Sequence, residues 1–240
     1  MMRLGRKFIM NLRVRHALTA AACGLAIAGI GVFGASAGRF DMKVRNDFFA
    51  GFGGNADALE RGMKSCEAAL KEDPNQAEPL VWHGAGLLYQ SGAYFQKGDM
   101  QNGGEFWARA MKEMDDAVAL APDNVGVRIP RGAALLAASA YIPPERAKPL
   151  VEKALSDYER TLELQAAYFD QLGEHPRGQL LFGLADGYSR VGDNEKAAAY
   201  FTRIEKDLPG TVYATRAAKW METKSLTPDE SGCVGCHVAK

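Results

Sequence analysis

Behind the first 54 residues, the chain is a succession of runs rich in Ala, Leu, Glu and Lys, punctuated by Pro and Gly. Hardly any stretch alternates apolar and polar residues as a half-buried strand would, so the pattern predicts helices throughout. Three runs end alike: "CEAALKEDP" closes at Pro74, "MKEMDDAVALAP" at Pro122 and "AAAYFTRIEKDLP" at Pro209. Each reads as an amphipathic helix stopped by proline, and the recurrence marks an internal repeat.

The repeat resembles the tetratricopeptide repeat, which sets small residues at repeat positions 8, 20 and 27, large apolar ones at 4, 7, 11 and 24, and proline near 32. Gly178 to Thr211 fits best, with Leu181, Leu184, Ala185, Tyr188, Ala197, Phe201 and Pro209 on the signature positions and Ile204 as one oversized member. Counting back from Pro122 gives Ala110, Met114 and Ala117, and counting back from Pro74 gives Gly62, Cys66 and Ala69. Counting forward from the two prolines places Gly84 and Gly132 where a small residue lets paired helices approach. The resemblance implies an all-α, TPR-like helix-turn-helix solenoid over 55–222. It would hold about three repeats, a lone helix near Asn55 to Lys71 ahead of them and a capping helix near Val212 to Glu222 behind. Ser91 to Glu105 reads as a loop that lengthens one repeat. The prolines from Pro143 to Pro149 leave the helix boundaries within 141–175 open.

Ahead of this body, Arg3, Arg6, Lys7, Arg13 and Arg15 precede an uncharged Ala/Gly/Ile/Val stretch from Ala17 to Gly34, followed by Ala35-Ser36-Ala37. A basic leader, an apolar run and a small-x-small site read as an export signal over 1–37, with residues 38–54 as a linker. Left uncut, residues 17–34 are about long enough to anchor the chain in the inner membrane; cut or not, the body is expected in the periplasm. Cys23 in "AAACG" suggests a lipid-attachment site, but Ala20 replaces the usual leucine and most of the apolar stretch follows the cysteine.

The 240 residues carry 29 basic and 29 acidic side chains, so no basic excess points to nucleic acid. No Gly-rich phosphate loop follows a strand, and neither His-Glu-x-x-His nor Gly-x-Ser-x-Gly occurs, which leaves hydrolase and nucleotide chemistry without a motif. His83 falls on a core register with no acid at a catalytic spacing and reads as a packed structural histidine. Cys66 reads as an inert buried thiol. His175, which precedes a proline, reads as lying in a turn.

The tail over 223–240 ends in "SGCVGCHVAK", a C-x-x-C-H spacing at Cys233, Cys236 and His237. A disulfide, a redox dithiol and part of a zinc site share this spacing, although zinc lacks a fourth ligand nearby. In this one motif the chain also resembles c-type cytochromes. That resemblance implies one haem c, bound through thioethers to Cys233 and Cys236 with His237 as proximal iron ligand. Only three residues follow His237, so the distal ligand must come from elsewhere: Met221, His175, Met42, another chain, or none.

The sequence thus points to a periplasmic, non-enzymatic electron-transfer protein, its scaffold docking to a redox partner protein or a membrane respiratory or photosynthetic complex. The alternative is a non-redox adaptor that binds peptides or subunits, with Cys233 and Cys236 in a disulfide. Self-association is open in both readings.

Overall fold

The structure, a computed structural model, describes residues 39–227 and Glu230. These form nine α-helices: α1 Asp41–Phe52, α2 Ala56–Glu72, α3 Ala77–Gln96, α4 Met100–Leu120, α5 Val125–Ser139, α6 Pro144–Gln165, α7 Glu174–Arg190, α8 Asn194–Asp207 and α9 Val212–Thr223. No strand occurs among the described residues. The helices pack as successive pairs, α1 with α2, α3 with α4, α5 with α6 and α7 with α8. The first member of each pair also packs on the first member of the next, and α9 closes the series against α8 and α7. This is the pairing a TPR-like stack requires.

The turn inside a pair is written into the sequence. Gly54, Gly98 and Gly192 adopt φ of +101°, +77° and +85°, a left-handed conformation that a side chain would strain. Asn55, Asp99 and Asp193 follow, and their backbone N–H groups donate back to the carbonyls of Ala50, Tyr94 and Tyr188 at 2.9–3.0 Å, which closes a Schellman turn each time. The same three side chains then cap the second helix, accepting from the N–H groups of Ala58, Asn102 and Lys196. One Gly-Asn/Asp dipeptide therefore ends one helix and starts its partner.

Close approach follows the expected register. A Cβ built on Gly84 would lie 2.8 Å from Met114 and 3.1 Å from the Ala110 carbonyl, so only glycine fits there. In the last pair Leu181, Leu184, Ala185, Ala197, Phe201 and Ile204 are all fully buried. Ala185→Leu is therefore expected to overfill this contact and cost about 1–3 kcal/mol or more; a denaturation midpoint equal to that of the parent protein would contradict the assigned register.

Four expectations need correction. Residues 38–54 are not a linker, and α2 is not a lone helix: α1 lies within that segment and completes a first pair, burying Val44 and Phe48 against α2 and α3. Ser91 to Glu105 is not a loop, because α3 runs on to Gln96, α4 starts at Met100, and the Ser91 hydroxyl donates to the Gly103 carbonyl at 2.8 Å inside the longer pair. The body also continues past 222. The Lys224 ammonium lies 4.6 Å from the Trp220 ring centre, and Leu226 packs against the core. Within 141–175 Pro143 is the N-cap and Pro144 the first position of α6, whereas Pro149 lies inside that helix.

Polar ties join helices both within and between pairs. The Arg190 guanidinium forks onto Asp186 and also donates to the Leu136 carbonyl and the Ser139 hydroxyl, joining α7 to α5. Asp157 of α6, fully buried, receives Arg131 at 2.7 and 2.8 Å and Arg128 at 2.8 Å, both from α5. Burial pushes the Asp157 carboxyl up, and the two guanidiniums pull it back. At the end of the stack the Trp220 ring stacks on Phe201 at 4.6 Å and its N–H donates to the Ser189 hydroxyl.

Candidate functional site

The cysteines and histidine of the C-x-x-C-H motif lie outside the described residues, as do residues 1–38 with Cys23 and the segment 17–34. Among the described residues no helix is long and apolar enough to cross a membrane. What the structure positions is the ground from which the tail departs. Past α9, Lys224 turns the chain with φ +56°, and the Lys224 N–H donates to the Trp220 carbonyl at 2.7 Å. Thr227 and Glu230 then close a turn: the Thr227 N–H and hydroxyl donate to the Glu230 carboxylate at 3.0 and 2.9 Å, and the Glu230 N–H donates back to the Thr227 carbonyl at 2.9 Å. The Lys219 ammonium of α9 pairs with the same carboxylate. These contacts, Lys219 first and the Thr227 donors after it, hold the Glu230 carboxyl down at about 2.

The residues that the sequence offers as an expected second iron ligand are spread over the stack. Met221 sits on α9 two residues after Lys219, partly buried against the core. His175 lies in the first turn of α7 rather than in a loop, and its Nδ1 is 3.1 Å from the Tyr213 hydroxyl. Tyr213 belongs to the start of α9 and Met221 to its end, so the two candidates flank that helix from opposite ends. Met42 is on α1 and 56% exposed. The donor set of the tail, two thiols and an adjacent imidazole, suits a covalently held haem, and Met221 and His175 are the sulfur and nitrogen donors that this end of the stack offers. Among the described residues no group of three or more His, Cys, Asp or Glu is gathered as a metal site.

His83 is buried, as its register implies, but acids do meet it. Its Nδ1 is 2.5 Å from the Glu113 carboxylate of α4, and its Nε2 is 3.6 Å from the Glu67 carboxylate of α2. Sequence reasoning missed both partners because they lie on neighbouring helices. The signal was available: the contact of Gly84 with Ala110 and Met114 brings the residue before Gly84 alongside the turn that holds Glu113. Cys66 is buried nearby, its thiol pushed up to about 12 by burial and by Glu113 and Glu67, which leaves it protonated and inert. His83 also lines a groove of about 610 Å³ along α3, walled by Met63 and Glu67 of α2 and by Phe106 and Arg109 of α4.

No family model matches the chain, and no curated protein sequence matches it. Among solved structures, the chain is similar to a thermophilic TPR protein of Thermus thermophilus. The identity is 18%, the match covers 76% of this chain and 98% of that one, and the TM-score is 0.41.

Proposed function

We propose that this chain is an exported electron-transfer protein whose helical stack docks to a partner and whose tail carries one haem c. In this reading Cys233 and Cys236 form the thioethers and His237 is the proximal ligand. The observation that carries it is the C-x-x-C-H spacing, in a chain whose N-terminus has the form of an export signal. A haem held in this way supplies one-electron transfer. The chain's own part is to hold the carrier at the end of the stack, where Leu226, Thr227 and Glu230 tie the base of the tail to α9. A stack of helix pairs offers an extended surface to a redox partner or a membrane respiratory or photosynthetic complex, and needs no catalytic group of its own.

Expression in a strain competent for cytochrome maturation tests this reading. A red protein with a sharp α band on reduction supports it. A colourless one, with Cys233 and Cys236 bridged, supports a peptide- or subunit-binding adaptor instead, a role for which the groove beside His83 is the candidate surface.

For the distal ligand we expect Met221 or His175. The near-infrared charge-transfer band of the oxidised protein separates His/Met from His/His ligation, and its change in Met221→Ala or in His175→Ala assigns the residue. A low-spin protein whose band is the same in both variants would exclude the pair and bring forward Met42 or a ligand from another chain.

A further inference from the structure

The outer face of α9 departs from the repeat in a way that explains where the tail begins. One repeat length of about 34 residues after Leu181, Leu184, Ala185 and Tyr188 stand Thr215, Ala218, Lys219 and Glu222. The earlier four are buried beneath a second helix, whereas all four of the later set are exposed. These four offer no large apolar side chain for a further amphipathic helix to pack on, unlike the set one repeat earlier. Lys219 stands where Ala185 admits a helix, and it pairs instead with Glu230. Glu230 is only 26% exposed at its side chain, Thr227 donates to it twice, and Leu226 packs on the core just before it.

We infer that Lys219 and Glu230 form a latch that holds the chain at Glu230 against the face of α9 that carries Lys219. The latch is a property of the folded chain and does not need a cofactor. It rests on the proposed electron-transfer function only in what the tail carries. Cys233 follows Glu230 by three residues, so its Cα lies within about 11 Å of the Glu230 Cα. Under that function the haem is therefore attached at the α9 end of the stack, and releasing Glu230 from Lys219 lengthens its tether. Lys219 and Glu230 are positioning residues in this scheme.

The test is digestion of the purified full chain with a glutamate-specific protease, following by mass the peptide Ser231 to Lys240. Cleavage after Glu230 needs that side chain out of the latch, so its rate follows the released population. Lys219→Met is expected to release the peptide about two- to fivefold faster than the parent protein, the range a partly exposed ion pair supports. Lys219→Arg is expected to match the parent, and both variants should keep the parent's far-UV spectrum because Lys219 is exposed. Equal rates in Lys219→Met and the parent protein would overturn the latch. The mass of the released peptide reads the other matter separately: a haem adduct supports the electron-transfer reading and its absence counts against it, while the ratio of rates tests the latch in either case.

Discussion

Asp157→Ala is expected to lower the unfolding free energy by about 3–5 kcal/mol, the largest single-residue effect on stability foreseen for this chain. The carboxylate is fully buried and receives three hydrogen bonds from Arg131 and Arg128, whose side chains are themselves only 9% and 12% exposed. Removing it leaves two guanidiniums out of water with fewer acceptors; the Asp115 carboxylate, 2.9 Å from Arg131 and 44% exposed, is a weaker substitute. The large loss does not mean that the ion pair contributes as much to folding, because burying the three charges costs nearly what their attraction returns. Chemical denaturation checks this, and a loss below about 1 kcal/mol would show that the arginines swing out to solvent.

Replacing Cys233 and Cys236 together by alanine is expected to abolish covalent haem while leaving the helical far-UV signal almost unchanged. Every helix from α1 to α9 is closed by contacts among residues that precede the motif, including the Trp220 stack on Phe201 and the seat of Leu226. Absorbance and mass report the first half of this expectation, circular dichroism the second. Loss of most of the helical signal would mean that haem nucleates the fold.

The last helix pair was legible because type and spacing agree at every register position, from Leu181 through Phe201. The first pair was not, since α1 offers only Val44 and Phe48 as buried large residues, and half of its other ten positions are charged or polar. A sharper signal stood beside it: Gly54-Asn55 repeats Gly98-Asp99 and Gly192-Asp193, the dipeptide that ends one helix and caps the next. The stretch from Ser91 to Glu105 misled for a related reason. It holds Gly92, Gly98, Gly103 and Gly104, yet only Gly98 takes a positive φ, and the others sit within α3 and α4. Asp157 had no local signature beyond being an acid among Ala154, Leu155, Tyr158 and Thr161, all buried in α6. Its arginine partners come from α5, and such pairing across elements is set by packing that periodicity does not encode. Of the candidate site, the three residues of the motif were read from spacing alone, and the ties of Glu230 to Lys219 and Thr227 came only with the structure.

The most direct measurement is the mass and reduced absorption spectrum of the full chain produced in a strain competent for cytochrome maturation. The expected result is one haem added to the polypeptide mass, a sharp α band on reduction, and both lost in the Cys233→Ala, Cys236→Ala protein. A colourless chain at its polypeptide mass, or at two hydrogen atoms less with Cys233 and Cys236 bridged, would contradict it.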